Sequence, residues 1–147
     1  MGIARLSWDS ERKVKINGII VSDIRNPPFE IVEEHLRKMT IPINNSFVGL
    51  KMNEQTYMSF GGGDDGFIFV DCFLNGNYYI INDKVKPQKE VILTVGGQWS
   101  EYTEQICVSL EEAIEIAKYF FDHQDINPDY KWEYQFTDDY AFPNHKK

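Results

Sequence analysis

The chain has 147 residues and a mass of 17.2 kDa, with 15 Lys and Arg against 23 Asp and Glu, a formal net charge of −8 and an isoelectric point near 4.8. A folded chain of this mass exposes roughly 7,800 Å² where the unfolded chain exposes roughly 25,000 Å², which is enough burial for one core without disulfide or metal staples. The acidic balance excludes a nucleic-acid binder that works by neutralising phosphates, the 42% hydrophobic content excludes a disordered chain, and no apolar run approaches the ~20 residues of a membrane span.

In chain order, β-branched and aromatic residues predict strands over Ala4–Trp8 and Val14–Val21, the second interrupted by Asn17-Gly18 as a hairpin turn or a bulge. A helix is predicted over Pro28–Met39. Asn26 and the two prolines suit its start, and Phe29, Val32, Leu36 and Met39 form one apolar stripe opposite Glu30, Glu33, Glu34, Arg37 and Lys38. His35 falls at the margin of that stripe and reads as a partly exposed helical histidine. Strands follow over Phe47–Met52, Tyr57–Phe60, Phe67–Leu74, Tyr78–Asn82 and Val91–Val95, with Asn75-Gly76 as the strongest hairpin signal. A strand over Glu104–Val108 leads into a second helix that ends near Asp122–Gln124. Ser109 and Glu112 form a capping box there, and Leu110, Ala113, Ile114, Ala117, Phe120 and Phe121 line its apolar face. Tyr130–Phe136 alternates aromatic and polar residues as a strand with one buried face does. The expectation is an α+β fold, a single antiparallel sheet of about five to seven strands with two amphipathic helices packed on it, in one domain over 1–147 with a frayed tail at about 143–147.

The motifs that could carry chemistry read as structural. Gly61-Gly62-Gly63-Asp64-Asp65-Gly66 satisfies G-x-G-x-x-G, but a strand rather than a helix follows it, and two aspartates would repel a pyrophosphate. A glycine-rich loop joining two strands accounts for it. Asp125, Asn127 and Asp129 copy positions 1, 3 and 5 of a calcium loop, yet Tyr130 stands where the turn needs Gly and Phe136 where the bidentate Glu belongs. His35, His123 and His145, with Cys72 and Cys107, are too scattered for a structural zinc site. No G-x-S-x-G elbow is present, and both thiols lie in apolar strands that raise their pKa, so they read as buried free cysteines of a reducing compartment. The expectation is no catalytic residue, no metal and no cofactor. The N-terminal residues have no apolar signal core, and Leu6 occupies the position a myristoylation signal gives to Ser or Thr, so cytoplasmic residence is expected.

The charge is unevenly placed. Residues 1–60 hold 8 basic and 7 acidic residues, a net of 8 − 7 = +1, whereas Trp99–Tyr140 holds 2 basic and 11 acidic residues, a net of 2 − 11 = −9. An asymmetry of this size points to an interaction surface for a basic partner, or to a solvated helix face. Among the aromatics, Trp132 is expected to be buried by its alternating neighbours, and Tyr102 and Tyr140 to be exposed among acids.

From Gly61 onward the order of features resembles the Imm1 family of bacterial immunity proteins. The resemblance lies in Gly61–Gly66 leading into an apolar strand, in Val95-Gly96-Gly97-Gln98-Trp99-Ser100-Glu101-Tyr102, in the helix from Ser109 to Phe121, and in Pro128-Asp129-Tyr130-Lys131-Trp132-Glu133. It covers a little over half the chain. Where such proteins often carry Gly shortly after this helix, the present chain has Asp122-His123-Gln124-Asp125. The resemblance implies a small cytoplasmic protein that binds and neutralises a cognate bacterial toxin domain, a nuclease or deaminase, by stoichiometric occlusion. No nucleic acid and no membrane would take part, and the chain would be a monomer or weak dimer. On this expectation the toxin-binding residues are Glu101, Tyr102, Glu104, Glu111, Glu112, Glu115, Asp138, Asp139 and Tyr140, while Trp99, Trp132 and Glu133 maintain the fold. The alternatives are a non-enzymatic adaptor module with another partner and, behind it, a small hydrolase.

Overall fold

The computed structural model describes residues 2–15, 18–41 and 45–135, with the backbone alone for 10–15 and 18–22. Its first two strands, β1 (Arg5–Lys15) and β2 (Gly18–Arg25), pair antiparallel with Lys15 opposite Gly18, while Asn17, half of the expected turn or bulge signal, lies outside the described residues. β1 is one long strand where two were expected, and its register against β2 shifts between Asp9 and Val14. Helix α1 (Phe29–Arg37) passes into a 3₁₀ turn, Lys38–Thr40. Then come β3 (Phe47–Asn53), β4 (Thr56–Gly62), β5 (Ile68–Leu74) and β6 (Asn77–Ile81). The Asn75-Gly76 turn between β5 and β6 has positive φ at both residues, 53° and 86°, as two-residue hairpin turns of the primed type require. The chain continues through β7 (Glu90–Val95), β8 (Gln98–Thr103), a 3₁₀ turn at Glu104–Ile106, the two-residue β9 (Cys107–Val108), α2 (Leu110–His123) and β10 (Trp132–Gln135).

The main antiparallel sheet has seven strands in the order β10-β6-β5-β4-β3-β1-β2, with β9 added beside Ile68 and Phe69 of β5. With its two helices the fold is α+β, as the sequence predicts. Two further elements differ from expectation. Glu104–Val108 is mostly a 3₁₀ turn, and β8 is a strand nothing in the hydrophobic pattern suggested; with β7 it forms a separate two-stranded sheet.

Period-two alternation sends Val48 and Leu50 of β3, Met58 and Phe60 of β4, and Val70 and Cys72 of β5 to one face of the main sheet. There they meet Val32 and Leu36 of α1 and Ala113, Ile116, Ala117 and Phe120 of α2, all essentially inaccessible to solvent. Each such Leu, Phe or Ile contributes ~1.5–3 kcal/mol by its removal from water. Helix α2 carries the predicted capping box: the Glu112 amide donates to Ser109 Oγ at 3.2 Å and the Ser109 amide to Glu112 Oε1 at 2.9 Å. Gln124 ends the helix in the left-handed region, φ 51°, and its Nε2 donates to the Gly2 carbonyl at 2.8 Å, tying the N-terminal segment to α2. His35 is buried rather than partly exposed. Its ring stacks on Trp8 at 3.8 Å and its Nδ1 lies 3.4 Å from Asn45 Oδ1. No helix among the described residues is long and apolar enough to cross a membrane.

Candidate docking surface

The hairpin β7–β8 turns through Gly96-Gly97, both with positive φ, 60° and 87°. It lies against the face of the main sheet opposite the helices. Gly61 and Phe69, cross-strand partners on that face, meet Val95 and Tyr102 respectively, the two rings at 5.2 Å. A Cβ on Gly61 would stand 2.6 Å from Val95 Cγ1, and one on Gly62 2.9 Å from Leu93 Cδ1. The glycine-rich run therefore exists for close approach of the hairpin, which explains a motif that fails as a nucleotide loop. Gly63, at φ 104°, would press a Cβ to within 2.1 Å of the Met39 carbonyl, so the same run also seats the 3₁₀ turn after α1.

Polar contacts fix the hairpin's tip and flank. Asp64 Oδ1 accepts the Thr94 amide at 2.8 Å, and Ser46 Oγ accepts the Gly97 amide at 3.2 Å. Ser46 is in turn held by Asp9, a fully buried carboxylate that accepts the Ser46 amide at 2.8 Å, the Ser46 hydroxyl at 2.5 Å and the Phe47 amide at 2.9 Å. Three donors satisfy that charge in the interior, as a buried carboxylate demands.

With Leu93, Val91 and Val95 turned inward, the outward face of the hairpin consists of Glu90, Ile92 and Thr94 on β7 and Thr103, Glu101 and Trp99 on β8. Trp99 is 70% exposed and Ile92 54%. Ile92 and Thr94 form one wall of a cleft of about 410 Å³, closed by Met39–Ile41, Asn45–Ser46 and Gly62–Asp65. Ile41, 51% exposed, stands on its rim. Among the described residues Asp65, Glu90 and Glu101 are exposed acids that make no ion pair. Two large apolar side chains in water on one face, Trp99 and Ile92, make this face the candidate docking surface.

The residues expected to bind a partner do not share one surface. Glu101 lies on the outward face just described. Tyr102 is turned the other way and is half-buried on Phe69, so its expected exposure is not met. Glu104 opens the 3₁₀ turn at the base of the hairpin, its amide bonded to the Lys89 carbonyl at 2.9 Å. Glu111, Glu112 and Glu115 lie on α2, on the other side of the main sheet, and each is engaged within the chain. Glu111 pairs with Arg37 at 3.0 Å, Glu112 closes the capping box, and Glu115 accepts the Tyr130 hydroxyl. Burial and the carboxylate beside it both push the Tyr130 phenol up. A second, wider cleft of about 630 Å³ between α1 and α2 is lined by Glu33, Glu111, Glu115 and Asp122, with Lys118 and Arg37 nearby to balance them. Asp138, Asp139 and Tyr140 lie outside the described residues.

Trp99 corrects an expectation, since a residue 70% exposed does not hold a fold together. Trp132 is half-buried against the core rather than buried, and Glu133 is partly exposed. The Trp132 indole donates to the Asn127 carbonyl at 2.8 Å, and Glu133, held below its usual carboxylate range chiefly by the bond from Asn82, also lies 3.6 Å from Lys84. The Asp125–Asp129 segment is a polar turn: Asn127 is buried and its Oδ1 accepts the Asp129 amide at 2.9 Å. Among the described residues no group of three or more His, Cys, Asp or Glu is placed to hold a metal. Both cysteines are buried and free, and burial pushes the Cys107 thiol up to about 12 and Cys72 higher still. Compared with protein-family models and with curated proteins, the chain matches none.

Proposed function

We propose that the chain is an immunity protein, which binds a cognate bacterial toxin domain, a nuclease or a deaminase, and neutralises it one-to-one by covering its active site or substrate surface. The outward face of the β7–β8 hairpin carries this reading: Trp99 and Ile92, largely exposed, share it with the unpaired acids Glu90 and Glu101, and Ile92 also lines the cleft that Asp65 lines. Enzymes that act on nucleic acids expose basic surfaces for phosphate, so an acidic, aromatic-bearing face competes for the same surface, and the net charge of −8 raises its association rate by steering. The resemblance to the Imm1 family supports the same role, and a cytoplasmic site of action goes with it. The test is co-expression with the toxic C-terminal domain encoded by the gene immediately upstream. Rescue of growth and recovery of an equimolar complex are expected; growth arrest with no complex overturns the reading.

A further inference from the structure

Strand edges in folded proteins are normally protected by shortness, a bulge, Pro or Lys, because an open edge templates pairing with another chain. The main sheet ends on one side in β10, of which four residues are described. The edge of β8 has no such shortness, bulge, Pro or Lys, and its one charge is Glu101. It runs six residues from Gln98 to Thr103, contains no Lys or Pro, and keeps an unbroken register against β7 from Glu90 opposite Thr103 to Val95 opposite Gln98. Gln98, Trp99, Ser100 and Glu101 are all exposed, and among the described residues no strand pairs with the far edge of β8.

The direction of its backbone groups follows from one hydrogen bond. In an antiparallel pair, opposed residues alternate between exchanging both backbone bonds and exchanging none. The Thr94 amide points out of the hairpin to Asp64 Oδ1, 2.8 Å away, so the Thr94–Trp99 pair is of the second kind, and two residues along so is Ile92–Glu101. The N–H and C=O of Trp99 and of Glu101 therefore face away from β7, along the open edge. Asp64 caps the β7 side of the hairpin, which leaves β8 as the side open to pairing.

We infer that the β8 edge is a strand-addition site, where an extended segment of a basic protein pairs with the backbone of Trp99 and Glu101. A Lys or Arg of that segment lies over the Trp99 ring and meets the Glu101 carboxylate. The inference rests on the reading of a basic protein partner and adds to it the mode of contact. Charge selects the occupant: Glu90–Thr103 contains two carboxylates, Glu90 and Glu101, and no Lys or Arg. A second copy paired edge to edge would set two such faces side by side with no cation between them.

The test follows amide hydrogen exchange on the full chain with two probes, the upstream toxic domain and a blocked heptapeptide alternating Lys and Val at millimolar concentration. Either probe is expected to slow exchange at Trp99 and Glu101 at least tenfold, while Ser100 and Tyr102, whose amides face β7, change little. Glu101→Pro removes the outward donor as well as the carboxylate that Glu101→Ala removes, so it should weaken binding at least tenfold more, with thermal melts confirming that both variants fold. Should the proline variant fail to fold, the exchange data on the unaltered chain still decide. A toxic domain that binds without slowing those two amides overturns strand addition and leaves the proposed function intact. Peptide pairing without binding of the toxic domain does the reverse. Binding of neither probe, or concentration-dependent protection with no probe present, overturns the inference.

Discussion

Asp71 sits on the face of β5 turned away from the helices, beside the stacked rings of Tyr57 and Phe73 at 4.9 Å, and accepts the Tyr78 hydroxyl at 2.6 Å. Burial pushes its carboxyl up to about 6 from an ordinary 3.8, and the Tyr78 bond opposes that only in part. The folded chain thus holds this proton more tightly than the unfolded one. The stability so conferred is present below about pH 4 and is lost as the pH rises through 6. Asp71→Asn, which keeps an acceptor for Tyr78 and removes the charge, should stabilise the protein by about 1–3 kcal/mol at pH 7.5 and have little effect at pH 4. Thermal melts at the two pH values check it, and an equal change at both would refute the assignment. His35 acts with the opposite sign: burial lowers its pKa, so it removes stability as the pH falls below its ordinary 6.5. Comparing variant with unaltered chain at each pH cancels that contribution.

The hairpin is the element on which the proposed function depends, and its seat is made by absent side chains. Gly61→Ala places a methyl 2.6 Å from Val95, so the hairpin must lift or the strand must shift, a strain of about 1–3 kcal/mol. A lower melting temperature together with faster exchange at Thr94 and Gly97 is the expected outcome; a melt unchanged from the parent would mean that the hairpin is not packed there. Much of the rest was readable in the sequence because local chemistry and global burial agree. Ser109 and Glu112 cap the helix they predict, Asn75-Gly76 turns the hairpin it predicts, and the stripes of both helices face the core. β8 was not readable by hydrophobic pattern, because Gln98-Trp99-Ser100-Glu101 is exposed throughout and so has no buried period to detect. The available signal was Gly96-Gly97, two glycines between a β-branched run and an aromatic one. The candidate surface was legible only at Glu101. Ile41 and Ile92 are apolar residues with no local sign of exposure, and the role of Trp99 depends on which side of an unforeseen strand it occupies. His35 misled in the other direction, since its burial depends on Trp8, a partner 27 positions away in sequence.

At the scale of the whole molecule, the acidic last third divides between two faces of one sheet. The α2 carboxylates are spent on Arg37, on the helix cap and on Tyr130, and exposed pairs of this kind are individually worth little. In the proposed complex they would act through the long-range field alone. Glu111→Lys with Glu115→Lys should therefore slow association a few-fold and flatten its salt dependence while leaving dissociation unchanged, whereas Glu101→Lys should speed dissociation about tenfold or more. Stopped-flow rates across ionic strength separate the two. A dissociation rate set by α2 would move the docking surface to the helical face. Calorimetric titration of the toxic domain with the unaltered chain and with Trp99→Ala is the most direct test of docking on the hairpin. A one-to-one complex is expected, which Trp99→Ala weakens by about 2 kcal/mol, roughly thirtyfold, at an unchanged melting temperature. Full affinity in Trp99→Ala, or loss of affinity only in step with unfolding, would contradict docking there.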